Sequence, residues 1–198
     1  MKIIGICGGS GSGKSTVCDI LSECGYYSIN TDVIYHGLIG RSSECSRQII
    51  ALLGEDIRLP SGGIDRKKLA ALVFGDKSGD ALRALNKIAH YHVLQEVRSI
   101  ISSLPQEIPG VLVDAPLLFE SGFDAECDIV LAVIADEEVR VKRIMERDGI
   151  TESHARSRIG VQLSNEELLQ RSDFTIVNNG NREELTRSVL EFLEKCTQ

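Results

Sequence analysis

The chain opens with a short apolar segment, a run of glycine and serine, and a segment whose apolar residues have helical spacing. The first segment, Lys2 to Cys7, is rich in isoleucine, which favours a strand buried on both faces of a parallel sheet. The run that follows reads GGSGSGKST. Beyond it, apolar residues recur at i, i+3, i+4 and i+7 (Val17, Ile20, Leu21 and Cys24), and Gly25 is a helix stop. This order of strand, glycine-rich loop and helix limits the possible folds more than any other feature.

The glycine and serine run has two interpretations. A flexible linker has this composition, but a linker gives no reason for a strand before it and a helix after it. The spacing Gly8-x-x-x-x-Gly13-Lys14-Ser15 is that of a phosphate-binding loop, in which the helix N-terminus points free N–H groups at an anion. We therefore interpret the run as a nucleotide phosphate site.

In this interpretation each type of residue has a role. Gly8, Gly11 and Gly13 allow a tight turn that brings backbone N–H groups to the phosphates. The lysine reaches the β and γ oxygens, and the serine after it ligates Mg²⁺ through its hydroxyl. The expected nucleotide-binding residues are Gly9, Gly11, Ser12, Gly13, Lys14, Ser15 and Thr16.

Four later segments have the composition of strands, and helical patterns separate them. They are Tyr26 to Asn30, Val111 to Asp114, Ile129 to Ala135, and Phe174 to Val177. Strands that alternate with helices predict an α/β fold with a parallel sheet. About 80 residues separate the second strand from the third, and their helical patterns, one of them with Asp65 as a candidate N-cap, predict a helical lobe beside the sheet.

The composition excludes several functional classes. A net charge of −7 argues against a general nucleic-acid or anionic-membrane binder, because such proteins need a basic field. No apolar run has the 18 or more residues of a membrane span, and the N-terminal stretch is too short for a signal peptide, so we expect a cytoplasmic protein. The six cysteines show no C-x-x-C spacing, which supports neither a zinc site nor a disulfide framework and predicts that they are mostly reduced core residues.

Two aspartates follow strands and are candidates for chemistry. Asp32 comes after the second strand, at the carboxyl edge of the sheet, where it would accept the proton of an attacking hydroxyl or serve only as a turn or helix cap. Asp114 ends the run Gly-Val-Leu-Val-Asp, which has the form of a Walker B strand that binds Mg²⁺ directly or through water. A second strand-end cap is the alternative for Asp114.

The segment from Asp136 to Arg171 has candidate helix caps at Thr151 and at Ser164 with Glu167, and it also has a basic cluster. Arg140, Arg143 and Arg147 recur at i, i+3 and i+7, which places them on one helix face. Such a face is usually solvated, but on a mobile segment it would close over a triphosphate and neutralise transition-state charge.

Two further patterns carry little chemistry. His90 and His92 lie two apart in a helical stretch and make a poor metal pair. The segment Asn86-Lys87-Ile88-Ala89 lacks the aspartate of a guanine-reading N-K-x-D motif, which argues against a GTPase.

Taken together, these residues resemble the dephospho-CoA kinase family, P-loop enzymes that phosphorylate the ribose 3′-hydroxyl of dephospho-CoA. The resemblance spans nearly the whole chain through IIGICGGSGSGKST, NTDVIYH, LNKIAHYHVLQEV, VDAPLLFESG, RIMERDGIT and FTIVNNG. It implies a P-loop NTPase-type five-stranded parallel sheet of order 2-3-1-4-5 flanked by helices. It also implies a single kinase chain with its core at about 1–32, 111–135 and 173–198, a helical acceptor domain at about 33–110, and a lid at about 136–172.

The resemblance also implies site residues. Asp32 matches the catalytic base, and His90 matches the histidine of the family's H-P motif beside the acceptor. Arg143 and Arg147 match lid arginines, which with Lys14 would be catalytic, and Asn178 falls among the adenine contacts. Asp32, His90 and Asp114 are the expected substrate-binding residues, while Ser15 and Asp114 are the expected metal ligands.

The chain departs from the family pattern at several positions, in the acceptor-side segments and in the expected lid. The usual D-A-D is Asn-Thr-Asp here, and the proline of H-P is a tyrosine. Two lid positions that are often basic are an asparagine and a leucine, with an arginine one turn later as a possible substitute. The departures are Asn30, Tyr91, Asn165 and Leu168, and the substitute is Arg171.

The sequence therefore predicts a kinase that uses ATP and Mg²⁺ and has dephospho-CoA as its acceptor. Nucleic acid and membrane are not expected partners. A monomer is favoured, although nothing in the sequence determines the oligomeric state. One alternative is another P-loop kinase acting on a nucleoside monophosphate or a sugar, and another is a nucleotide-binding switch without phosphoryl transfer.

Overall fold

The structure is a computed structural model that describes residues 1–196. Its five strands form one sheet in the order β2-β3-β1-β4-β5, and β1 pairs in parallel with β3 and β4, as β4 does with β5. The predicted fold and strand order are confirmed, with strand ends that differ from the predicted ones by at most one residue. The strands are β1 (Lys2–Cys7), β2 (Tyr27–Asn30), β3 (Gly110–Asp114), β4 (Ile129–Ile134) and β5 (Phe174–Val177).

Helices connect the strands. They are α1 (Lys14–Glu23), α2 (Thr31–Gly40), α3 (Glu44–Leu53), α4 (Arg66–Gly75), α5 (Asp80–Ser103), α6 (Glu137–Asp148), α7 (Glu152–Gly160), α8 (Asn165–Arg171) and α9 (Arg182–Cys196). Two short 3₁₀ helices lie at Glu55–Ile57 and Phe123–Glu126. Within residues 1–196 there is no helix long and apolar enough to cross a membrane.

The chain divides into two compact units. Unit 1 consists of Met1–Ile29 and Pro105–Gln198, and unit 2 consists of Asn30–Leu104. Unit 1 holds the sheet together with α1 and α6 to α9, whereas unit 2 holds α2 to α5. Their bounds place the phosphate-loop segment in unit 1 and the long helical insertion in unit 2.

The core of unit 1 lies on the central strands. Ile4 and Ile6 of β1 are fully buried, as expected for a strand covered on both faces. They pack with Leu112 of β3, Leu131 of β4 and apolar residues of α1 and α9. The register pairs Ile6 with Asp114 and the following residue, Cys7, with Ala132, so the carboxyl ends of these strands meet at one edge of the sheet. This edge is where the glycine-rich loop leaves β1.

Unit 2 has its own apolar core, formed by α2 to α5 and the first 3₁₀ helix. Asp65 caps α4 by accepting hydrogen bonds from the backbone N–H groups of Lys67 and Lys68 at 2.9 and 3.2 Å, which confirms the predicted N-cap. The long helix α5 buries residues spaced four apart, as its apolar stripe predicts. They are Leu85, Ala89, Val93 and Val97.

The predicted caps of α7 and α8 are also present. Thr151 caps α7, and Ser164 with Glu167 forms a capping box at α8. Gly149 ends α6 in the left-handed conformation with a φ of 64°. These short helices therefore begin and end where local side-chain chemistry predicts.

The cysteines are free thiols. Four of them are buried (Cys7, Cys18, Cys45 and Cys196), Cys127 is half-buried and Cys24 is exposed. Burial raises the pKa of Cys7, which directly precedes the glycine-rich loop, to about 12, so this thiol stays neutral near pH 7. The prediction that most of the cysteines are core residues is confirmed, with Cys24 as the exposed exception.

Candidate functional site

The glycine-rich loop joins the end of β1 to the start of α1. Gly8, Gly11 and Gly13 have φ values of 154°, 79° and 95°, all in the region that favours glycine. Gly13 is the N-cap of α1 and has no side chain with which to satisfy the first N–H groups of the helix. These N–H groups and the positive end of the helix dipole form a site for an anion.

Close packing also requires glycine in this loop. A Cβ atom at Gly8 would overlap the carbonyl oxygen of Val133 in β4, and one at Gly13 would overlap the amide nitrogen of Asn178. Both neighbours are fixed at the edge of the sheet, because Val133 is a core residue and Asn178 is buried. The loop therefore lies directly against the carboxyl ends of β4 and β5.

Lys14 forms an ion pair with Asp114, which places the end of β3 beside the loop. The two side chains are 13% and 5% exposed, so the pair is largely removed from solvent. A lysine ammonium has three donors, which leaves room for phosphate oxygens beside the carboxylate. The structure thus brings together the two side chains that the sequence predicts at the phosphates and at the metal.

The hydroxyl of Ser12 is buried inside the loop. Within residues 1–196 its oxygen has no hydrogen-bond partner, although the residue is only 1% exposed. A buried polar group without a partner costs about 1–3 kcal/mol. A phosphate oxygen bound in the loop would supply the missing partner.

Asn178 and Arg143 connect the loop to the end of β5. The Asn178 amide donates to the carbonyl of Ser12 at 2.7 Å, and Asn178 is 5% exposed. Arg143 donates to the carbonyls of Gly11 at 3.3 Å and Asn178 at 2.9 Å. The sequence predicts that both residues contact the nucleotide. In this structure both side chains donate hydrogen bonds to backbone carbonyls.

Arg147, the third arginine of the predicted face, does not contact the loop. It forms an ion pair with the neighbouring Asp148 at 2.8 Å, and its side chain is 60% exposed. The hydrogen bond to Asp148 raises the pKa of the Arg147 guanidinium. Of the three arginines, Arg140 and Arg143 reach the loop, while Arg147 points to the helix end.

Two residues outside the predicted site residues also contact the loop, namely Arg140 of the arginine face and Gln162. Arg140 donates from Nε to the carbonyl of Ser10 at 2.9 Å, and Gln162 accepts from the Ser10 N–H at 3.0 Å. Arg140 could have been found from its position on the arginine face. Gln162 lies 152 residues from Ser10 and has no local signal of this contact.

The predicted acceptor-side residues lie in unit 2. Asp32 is an exposed residue in the first turn of α2, and His90 is half-buried in α5. Helices α2 and α5 pack against each other within this unit. An acidic residue in the first turn of a helix is favourably placed relative to the helix dipole.

Comparison with known proteins identifies the family. The CoaE dephospho-CoA kinase family model matches residues 2–184. The chain belongs to the dephospho-CoA kinase family. A dephospho-CoA kinase from Fusobacterium nucleatum is 41% identical over 194 residues, which cover 98% of this chain and 98% of the relative.

Solved structures agree with this family assignment. The protein TT1252 from Thermus thermophilus is 32% identical and superposes with a TM-score of 0.81, covering 100% of this chain and 98% of its own. A dephospho-CoA kinase from Campylobacter jejuni is 26% identical with a TM-score of 0.72, covering 98% of this chain and 96% of its own. The resemblance predicted from the sequence is confirmed.

Two departures from the dephospho-CoA kinase pattern have structural explanations in unit 2. Asn30 is the N-cap of α2, and its side-chain oxygen accepts from the N–H of Val33 at 3.0 Å. An aspartate would cap a helix in the same way, so this part of its role is retained. Tyr91 is 60% exposed and lies in the unbroken helix α5, where a proline would remove a backbone hydrogen bond.

The departures in α8 also have packing roles. The Asn165 amide donates to the carbonyl of Ala135 at 3.0 Å, and Leu168 is 4% exposed. The guanidinium of Arg171 lies 4.0 Å from the centre of the Phe119 ring, a cation–π geometry. These residues attach α8 to the sheet edge and to the DAPLLFE segment.

Proposed function

We propose that this protein is an ATP-dependent dephospho-CoA kinase that transfers the γ-phosphoryl group of ATP to the ribose 3′-hydroxyl of dephospho-CoA, giving coenzyme A and ADP. The observation that carries the proposal is the match of residues 2–184 to the family model, in a chain whose phosphate loop is intact. The N-terminus of α1 at this loop, with Lys14 at its first position, supports the binding of a triphosphate.

The phosphate loop binds and orients the nucleotide in this proposal. Backbone N–H groups from Gly11 to Thr16 surround the β-phosphate, and Lys14 reaches the β and γ oxygens. The buried Ser12 hydroxyl gains a phosphate acceptor for its proton. Asn178, at the end of β5, contributes to adenine recognition. Its hydrogen bond to the Ser12 carbonyl supports this role, because it joins that strand end to the loop.

Asp32 acts as the general base, and His90 lies on the acceptor side. Asp32 accepts the proton of the 3′-hydroxyl as the hydroxyl oxygen attacks the γ-phosphorus and the bond to the leaving ADP oxygen breaks. Its exposure in the first turn of α2 supports access to a substrate hydroxyl. The proposed acceptor domain, at about residues 33–110, accordingly corresponds for most of its length to unit 2, Asn30–Leu104.

Segment 136–172 is proposed as the lid, with Arg143 and Arg147 as its catalytic arginines. Arginines neutralise charge that develops on the transferring phosphoryl group. Arg143 already lies at the loop, whereas Arg147 would have to exchange its ion pair with Asp148 for the phosphate. The Arg147 side chain is 60% exposed, and exposed ion pairs contribute little energy, so breaking the pair with Asp148 costs little.

Mg²⁺ fits the oxygen donors at the loop. Ser15 follows Lys14 directly, and Asp114 is held beside Lys14, so a hydroxyl and a carboxylate flank the phosphate site. Mg²⁺ commonly takes one or two carboxylates together with substrate phosphates and water. When bound, the ion supplies charge neutralisation at the β- and γ-phosphates. Ser15 and Asp114 are the residues that would hold it.

The proposal is tested by ADP release from Mg-ATP with a panel of acceptors. Dephospho-CoA should stimulate release well above the ATP-only rate, while a nucleoside monophosphate and a simple sugar should not. Phosphorus NMR of the product should show a new phosphate monoester on the ribose. A rate with dephospho-CoA equal to the ATP-only rate would reject the assignment, and stimulation by the nucleoside monophosphate alone would favour another P-loop kinase. The cytoplasmic location and the monomeric state remain predictions.

A further inference from the structure

Every polar group of Ser10, at the tip of the phosphate loop, is bound by Arg140 or Gln162. Arg140 Nε donates to the Ser10 carbonyl at 2.9 Å, and the Ser10 N–H donates to Gln162 Oε1 at 3.0 Å. Gln162 Nε2 donates to the Ser10 hydroxyl at 3.1 Å. Arg140 also donates to Gln162 Oε1 at 2.8 Å, which joins the two side chains. We call Arg140 and Gln162 the Ser10 clamp.

The clamp contains a buried charge. Arg140 is 4% exposed, and its hydrogen bonds go to a carbonyl and an amide oxygen rather than to a carboxylate. No ion pair of Arg140 with a carboxylate exists within residues 1–196. Burial lowers the pKa of the guanidinium, and the charge of nearby Glu137 opposes that shift. Because buried charges are normally paired, an unpaired buried arginine beside the phosphate loop points to a role linked to the anion that the loop binds.

The packing of Arg140 against the loop explains Gly9 and adds a second reason for Gly11, whose φ of 79° already favours glycine. Gly9 and Gly11 lie at variable positions of Gly8-x-x-x-x-Gly13-Lys14-Ser15. A Cβ atom at Gly9 would overlap the Arg140 guanidinium, and one at Gly11 would lie 2.7 Å from the Arg140 carbonyl oxygen. Arg140 thus occupies the space that side chains at both positions would fill.

These contacts fix the two peptide units on either side of Ser10, through its N–H and its carbonyl. A phosphate loop works by presenting N–H groups that are already oriented toward the anion, so that little rearrangement is needed on binding. The clamp turns the N–H and the carbonyl of Ser10 toward α6 and Gln162, which determines the direction of the neighbouring peptides. Both clamp residues lie in the segment 136–172, so the loop tip is held by the proposed lid.

We propose that Arg140 is a positioning residue for ATP, which together with Gln162 holds the tip of the phosphate loop in its anion-binding conformation. The inference rests on the proposed function only in that the loop binds a nucleoside triphosphate. It does not depend on the identity of the acceptor.

Arg140→Gln removes the charge and the bond to Ser10, whereas Arg140→Lys retains a charge and one donor. Loss of a hydrogen bond that involves a charged group corresponds to about a tenfold or larger change in affinity. We therefore expect the KM for ATP to rise about tenfold in Arg140→Gln and less in Arg140→Lys, with the KM for dephospho-CoA unchanged. Lys142→Gln is the matched control, because it removes a positive charge from an exposed position on the same helix.

Direct titration of ATP into each variant by calorimetry separates positioning from simple stability. A purely structural Arg140 would lower the melting temperature and leave the ATP affinity of the folded protein unchanged, and this outcome would overturn the proposal. If Arg140→Gln does not fold, Gln162→Ala provides the same measurement, since it removes the bonds to the Ser10 N–H and hydroxyl. Wild-type affinity in Gln162→Ala would then overturn the proposal.

Gly9→Ala gives an independent steric test. The new methyl group should displace the guanidinium and weaken ATP binding. It should cost little more in an Arg140→Ala background, where both guanidinium contacts are gone and Gln162 Oε1, at 2.9 Å, is the near contact that is left. Equal and additive losses in the two backgrounds would contradict the clamp. The ATP titration needs no acceptor, so it tests the clamp independently of the proposed function. If the protein bound ATP but dephospho-CoA did not stimulate ADP release, the proposed function would be refuted, and the clamp variants would still test this inference.

Discussion

Replacement of Asn178 with alanine is expected to lower both the stability of the protein and its affinity for ATP. The Asn178 amide donates to the Ser12 carbonyl at 2.7 Å from a side chain that is 5% exposed. The net contribution of such a hydrogen bond is about 1 kcal/mol, and a buried carbonyl left without its donor adds a penalty of similar size. We therefore expect a loss of about 2 kcal/mol in the free energy of unfolding.

Thermal unfolding and calorimetric ATP titration measure the two effects. In a chain of this size, 2 kcal/mol lowers Tm by about 4–8 °C. The freed Ser12 carbonyl lies between Gly11 and Gly13, so the orientation of loop N–H groups should relax, and we expect a roughly tenfold increase in the Kd for ATP.

Asn165→Ala is the matched control for this prediction. Asn165 also donates its amide to a backbone carbonyl, that of Ala135 at 3.0 Å, but it lies outside the phosphate loop. It should lower Tm without a change in ATP affinity. The reasoning would be refuted if Asn178→Ala bound ATP as tightly as the wild type, or if both variants lost affinity equally.

Three further predictions concern the acceptor side, the lid and pH. Asp32→Asn should lower kcat by roughly 10² or more with little change in ATP affinity, as loss of a general base does, and near-normal turnover would mean that the proton goes elsewhere. Arg147→Ala should lower kcat in the ADP-release assay with little effect on Tm. The control, Arg158→Ala, removes the other ion pair of Asp148 and should leave kcat unchanged. Equal rates in the two variants would mean that Arg147 is only a solvent-exposed residue of the helix face. The pKa of Asp148 is lowered from 3.8 to about 2 by hydrogen bonds from Arg147 and Arg158. Its contribution to stability should thus be present above pH 4 and lost as the pH falls to 2, and urea unfolding of wild type and Asp148→Asn should show a difference that vanishes over this range.

The elements with strong local signals were predictable. The isoleucine-rich β1, the glycine loop and the apolar spacing of α1 all lie within 25 residues, so periodicity and turn chemistry were sufficient to identify them. The caps at Asp65, Thr151 and Ser164 were likewise evident, because a capping side chain acts on N–H groups two or three residues away.

The contacts between distant segments were not predictable from local patterns. The bond from Gln162 to Ser10 spans 152 residues and depends on how α6 and α7 pack at the sheet edge. The contacts of the arginine face were not predictable for the same reason. Helical spacing places Arg140, Arg143 and Arg147 on one side of the helix but does not show which segment that side contacts. The strand order 2-3-1-4-5 came from the family resemblance, because periodicity gives no order of strands in a sheet.

The thiol distribution makes the protein suitable for site-specific fluorescence labelling. Cys24 is the one exposed cysteine within residues 1–196, and the others are buried or half-buried. It follows α1 directly, so a maleimide dye there would sit about 15 Å along the helix axis from Lys14, at 1.5 Å of rise per residue. A single dye at the far end of the phosphate-site helix could then report nucleotide binding without any engineered cysteine.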